Sequence, residues 1–143
     1  MDIWLIIANP YAYDKALAEA LSLAQQPGAR LHVAFFISDS SVTDTIHELA
    51  DTGLLGPGSL RNLRSNMLAG YRGLADDVLK RVQRKAAQIP VVIEGVVEQD
   101  SLRDYLPQIY QRSDVNRIVI GGSRLMASRL GTIPEHVVFI AEE

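Results

Sequence analysis

The sequence predicts an α/β three-layer sandwich around a five-stranded parallel sheet. Short apolar runs rich in β-branched residues, with no polar alternation, suit parallel strands buried on both faces. Segments with apolar residues spaced three to four apart lie between these runs, as the crossover helices of a parallel sheet require. Gly and Pro punctuate the junctions.

Residues 3–8 (IWLIIA) form the first such run and stop at Asn9-Pro10, where proline disfavours continuing the ladder. From Asp14, the residues Ala16, Leu17, Ala20, Leu21, Leu23 and Ala24 recur at helical spacing. Pro27-Gly28 ends that helix, expected over 14–26, and a second strand follows over 31–37. Strand, helix and strand in this order make a right-handed βαβ unit. Residues 38–41 read as a polar turn, and 42–50 as a short helix carrying His47. Residues 51–59, with glycines, Pro57, Leu54 and Leu55, read as a loop that is either a lid or partner surface or an ordinary connection.

Leu63, Met67, Tyr71, Leu74, Val78, Val82 and Ala86 then trace a long amphipathic helix, which Gly70 and Gly73 weaken by about 1 kcal/mol each and Pro90 ends. A third strand is expected over 91–97, interrupted by Glu94-Gly95. Ser101 with Asp104 resembles a capping box that opens a helix to about Arg112, with Pro107 inside it. A fourth strand over 117–120 runs into Gly121-Gly122-Ser123, a short helix over 125–130 is closed by Gly131, and the last strand is 137–140. No repeat or linker divides residues 1–143, so one domain is expected.

Composition removes several function classes. The 143 residues are 48% apolar and 22% charged, as in an ordinary globular chain. Fourteen basic against 17 acidic residues give a net charge of −3, no field to attract nucleic acid. There are no cysteines, which excludes thiolate metal sites and a Cys nucleophile. No apolar run approaches the roughly 20 residues that span a bilayer, and no basic signal region precedes the first strand, so a cytoplasmic location without membrane contact is expected. The three histidines have no ligand spacing and no metal is expected; His32 reads as a packed strand residue. Asp76 and Asp77 are adjacent on a helix and point apart. No nucleophile elbow, Walker loop or dinucleotide fingerprint is present, and no catalytic residue is expected.

Two stretches carry a resemblance. Gly28-Ala29-Arg30-Leu31-His32-Val33 opens the second strand, and residues 113–124 (SDVNRIVIGGSR) form an acidic turn, an apolar strand and a glycine pair. In this order, within this layout, they resemble the universal stress protein family. The resemblance implies strand order 3-2-1-4-5, an adenine nucleotide alpha hydrolase-like fold, and a homodimer paired through the last strand. Family members that bind ATP carry an Asp at the end of the first strand, where Asn9 stands here. They also carry a loop Gly-x₂-Gly-x₉-Gly-Ser/Thr after the fourth strand. Here Arg124 or Leu125 occupies the place of the second glycine, and Gly131-Thr132 arrives three or four residues early.

The resemblance therefore makes Asn9, Gly121, Gly122, Ser123, Arg124 and Thr132 the candidate ligand residues. Gly121-Gly122-Ser123 either holds an anion, with Arg124 helping, or is a tight turn with Ser123 as helix cap. Asn9 either lines the same crevice or caps a turn. The leading expectation is a non-catalytic, dimeric, universal stress-like regulator without a cofactor, its ATP binding lost or altered, with a further protein partner possible. The alternative is a sensor holding ATP or AMP in a rearranged loop from Gly121 to Thr132. Hydrolysis of a small phosphorylated ligand is a third reading, for which no general base can be named.

Overall fold

The computed structural model describes residues 1–53, 56–112 and 115–142. Its elements in chain order are β1 (Asp2–Ile7), α1 (Asp14–Leu23), β2 (Arg30–Ser38), α2 (Asp39–Asp51), α3 (Pro57–Lys85), β3 (Val91–Gln99), α4 (Leu102–Tyr110), β4 (Val115–Gly122), α5 (Arg124–Leu130) and β5 (Val137–Ala141). The strands form one sheet in the order β3-β2-β1-β4-β5, with every pairing parallel. Fold class and strand order are those expected from the sequence.

All six residues of β1 are buried because the strand is central and covered on both faces. The two-residue strand period divides it: Ile3, Leu5 and Ile7 face one core, Trp4 and Ile6 the other. The first core is closed by α1 through Ala16, Leu17 and Ala20, and by α3 through Ala75, Val78, Leu79 and Val82. The second is closed by Leu102, Tyr105, Leu106 and Ile109 of α4 and by Leu130 of α5. Burial of such faces, at roughly 25 cal/mol per Å² of apolar surface, is the main force holding the layers together. The strand order reverses at β1, which puts a topological switch point between β1 and β4.

Several boundaries differ from the sequence expectation. Residues 38–41 are not a turn: Ser38 ends β2 and its Oγ accepts the Ser41 N–H, capping α2 directly. The stretch 51–59 is not a loop throughout. Asp51 closes α2, while Pro57 occupies the first turn of α3, where its missing N–H costs nothing. Leu54 and Leu55 lie outside the described residues. Helix α1 ends at Leu23, short of Gln26. Strand β4 runs through Gly121 and Gly122, so these glycines belong to the sheet rather than to a turn after it. From Gly121 to Leu130 the chain is strand, the single cap residue Ser123 and helix, with Gly131 and Thr132 following α5.

Helix α3 has 29 residues, about 43 Å, against about 30 Å for the longest strands. Its buried residues all fall in its second half. The first half overhangs the carboxyl end of the sheet, where α2 packs against it. This overhang builds one wall of the crevice described next.

Candidate functional site

A cavity of about 250 Å³ lies beyond the carboxyl ends of β1, β2 and β4. Its lining comes from the turn after β1 (Asn9, Tyr11), the end of β2 (Phe35, Ser38), α2 (Ser41, Val42), α3 (Tyr71) and the start of α5 (Ser123, Met126). None of the described residues lining it carries a formal charge. Tyr11 is 76% exposed, an aromatic surface that the fold itself leaves uncovered. Over the neighbouring surface, Arg129 of α5 pairs with Asp44 of α2 at 3.0 Å, and Arg64 of α3 pairs with Asp39 at 3.2 Å.

Asn9 lies in this crevice and is held at both ends. Its Oδ1 accepts the Tyr11 N–H at 3.0 Å, and its Nδ2 donates to the Glu142 carbonyl at 3.1 Å. Glu142 in turn places Oε2 2.9 Å from the Lys15 N–H, in the first turn of α1. The N-cap of that helix, Tyr13, offers no side-chain acceptor, so a carboxylate from the far end of the chain takes the position an anion would favour. Ser123 also lines the cavity; its Oγ accepts the Met126 N–H at 3.2 Å and caps α5.

The two glycines lie beneath the crevice rather than in it. A Cβ on Gly121 would stand 2.8 Å from the Ala16 Cβ, so its bareness lets α1 sit directly on β4. A Cβ on Gly122 would stand 2.9 Å from the Phe139 ring and 3.1 Å from the Met126 sulfur. Their carbonyls accept from the Ala8 and Glu142 N–H groups at 2.8 and 3.1 Å. Arg124 is exposed at the first position of α5. Thr132 belongs elsewhere, with Arg103, Leu106, Tyr110 and Ile133 around a separate cavity of about 260 Å³. Of the six residues singled out in the sequence, the fold therefore brings Asn9 and Ser123 to one cavity.

From the sequence, Tyr11, Tyr13 or Arg124 filling the crevice would favour the non-binding reading; Tyr11 lines the cavity but is largely exposed. Tyr71, Ser38 and Ser41 are not among the candidate residues of the sequence. The only available signal for Ser38 and Ser41 was a polar cluster at the end of an apolar run, the place where open α/β sheets put ligands. Tyr71 had no such signal, since it sits on the apolar stripe of a helix.

A second polar cluster lies at the opposite end of the sheet. His32 Nδ1 is 2.7 Å from Glu94 Oε1, and its Nε2 is 3.2 Å from Asp2 Oδ2, within ion-pair distance but without hydrogen-bond geometry. The imidazole stacks on Trp4 at 4.9 Å and 7°. Arg112 binds Glu94 Oε2 at 3.2 Å and lies over the Trp4 ring. Burial alone would raise the Glu94 carboxyl, but the hydrogen bonds from His32 and Arg112 outweigh it and hold its pKa below the usual carboxylate value. Strand register explains the approach. Val33 pairs with Ile93 and Ala34 with Gly95, so Glu94 is the extra residue of a bulge whose Gly95 has φ +85°. Among the described residues no group of three or more His, Asp or Glu is arranged to hold a metal ion, and no helix is long and apolar enough to cross a membrane.

No protein-family model matches the chain. No curated protein matches it either. Among solved structures, it is similar to a protein from the universal stress protein family of Burkholderia pseudomallei, at 21% identity and a TM-score of 0.56 over 96% of this chain and 94% of that one. It is also similar to hypothetical protein MJ0577, a subject of structure-based assignment of biochemical function, at 8% identity and a TM-score of 0.63 over 99% and 96% of the two chains. At these identities the likeness is one of fold, over nearly the whole length of each chain.

Proposed function

We propose that this chain is a universal stress-like regulatory protein that performs no catalysis, dimerises through β5 and does not hold ATP in the family's manner. The observation that carries the reading is the end of β4. There Gly121 and Gly122 are packed against Ala16, Phe139 and Met126, and the chain passes at once into the Ser123-capped α5. Phosphate loops work by presenting several free backbone N–H groups around an anion, and this stretch is strand and helix instead. Asn9 Nδ2 is committed to the Glu142 carbonyl, and the Glu142 carboxylate occupies the first turn of α1.

Dimerisation draws support from the two edges of the sheet. The β3 edge carries a bulge and the charged Glu94 and Glu98, features that discourage strand addition. The β5 segment, VVFIA, has neither. Sedimentation at micromolar concentration should give a dimer; a monomer there would remove this part of the reading.

A nucleotide sensor remains the second reading, favoured by Asn9 and Ser123 lining one cavity at the switch point. Titration calorimetry with ATP, with and without magnesium, separates the two. No heat of binding at millimolar ATP is expected. Micromolar binding that weakens in Asn9→Ala or Ser123→Ala would make the protein a nucleotide sensor.

A further inference from the structure

We propose that a hollow at the amino edge of the sheet docks an extended acidic peptide segment of a partner protein. This goes beyond the reading of the crevice and does not depend on it. A cavity of about 870 Å³ lies between the ends of α1 and α3 and the starts of β1 and β2. It is at the opposite end of the strands from the crevice and shares no lining residue with it. Its volume falls within the roughly 300–1,000 Å³ of ligand sites.

The hollow exists because the residues between the two helix ends are short. Ala24, Ala29 and Ala86 are buried there but do not fill the gap. The edge of the first core is left showing as a floor: Leu21 and Ile89 are half-buried, and Met1 is 39% exposed. An aliphatic side chain seated on that floor leaves water for apolar contact.

Charge selects the rest of the occupant. Arg84 and Lys85, in the last turn of α3, line the cavity and form no ion pair or side-chain hydrogen bond among the described residues. Asp2, the acidic residue of the lining, is held by Arg30 at 3.3 Å and lies 3.2 Å from His32. The helix dipoles offset part of the positive charge. Each C-terminus carries about half a negative elementary charge, so α1 and α3 together supply about one against two full cations. The surplus is positive, in a chain whose overall charge is −3. Carboxylates on the partner match it.

Hydrogen-bonding chemistry points to a peptide rather than a small carboxylate. Gln25, Gln26 and Gln88 line the same cavity with their amides unengaged among the described residues. A side-chain amide both donates and accepts, so each can pair with a backbone N–H or C=O of an extended segment.

The test is fluorescence anisotropy of the full chain with a labelled eight-residue peptide of alternating Glu and Leu. Its strand period puts carboxylates on one side and aliphatic groups on the other. Saturable binding below millimolar concentration is expected. It should weaken by about five-fold or more when Gln replaces every Glu, and likewise when Ser replaces every Leu. Arg84→Glu with Lys85→Glu, exposed changes outside both cores, should weaken it by about ten-fold or more. Arg84→Gln with Lys85→Gln, which adds no acidic charge, should weaken it in the same direction. Arg61→Glu, on the overhanging half of α3, should leave it unchanged. No binding at millimolar peptide, or equal affinity for the Gln or Ser peptide, overturns the proposal. A comparable loss in Arg61→Glu overturns it too, since the peptide then responds to overall charge rather than to the hollow. So does a single-stranded oligonucleotide of equal charge that competes as well as the peptide.

Discussion

At the scale of single residues, two positions do work that their chemistry alone does not announce. Gly121 is the contact that lets α1 lie on β4. Gly121→Ala puts a Cβ 2.8 Å from the Ala16 Cβ, and neither atom can rotate away. Such overpacking should cost about 1–3 kcal/mol, read as a lower urea midpoint with unchanged slope. Glu94 is the second. Its folded pKa is lowered, so its contribution is fully present above the unfolded value of roughly 4.3 and is lost as pH falls through the folded value. Glu94→Gln should therefore destabilise the protein clearly at neutral pH and much less in acid, where the native carboxyl also protonates. Urea denaturation of both proteins across this pH range checks it; an equal loss at all pH values would mean the carboxylate charge is not what His32 and Arg112 hold. Glu142→Gln removes a negative charge from the first turn of α1 and should cost about 0.3–1 kcal/mol, measured the same way.

At the scale of elements, α2 is attached by few apolar contacts. Val42 is its buried residue, and its links to the neighbouring helices run through Asp44–Arg129 and Asp39–Arg64. Both partners of the first pair are about half exposed, so its net contribution is about 1 kcal/mol or less. Asp44→Ala should thus leave global stability nearly unchanged while the α2 amides exchange hydrogen faster, because local opening depends on few contacts. Unchanged exchange in α2 would show that its packing on α3 suffices. The overhang of α3 belongs to the same scale. Periodicity from Leu63 onward made its core-facing stripe legible, yet its first turns, from Pro57, carry no buried residue and hence no periodic signal.

For the whole molecule, the sheet edges govern behaviour. Bulge and charge blunt β3, while β5 presents a short apolar edge. Association through β5 would raise hydrogen-exchange protection of residues 137–141 as protein concentration increases, with β3 unaffected. Protection that is independent of concentration, together with a monomer in sedimentation, would place the partner surface elsewhere. The crevice is also a property of the whole: residues from the turn after β1, from β2, α2 and α3 and from the start of α5 meet there because the strand order reverses at β1.

By itself, the sequence determined the layers, the strand and helix order and most of the core, because burial writes a period of two or between three and four into the chain. It marked Asn9 and Ser123, since turn and cap chemistry are local. Tertiary structure decided the rest. That Gly121 and Gly122 are packing contacts, and that Thr132 lines a different cavity, depends on what faces them from α1, β5 and α4. Glu94 reaches His32 through a bulge against β2, and Glu142 reaches α1 across the length of the chain. Such contacts depend on register and on distance in space, which local patterning does not encode.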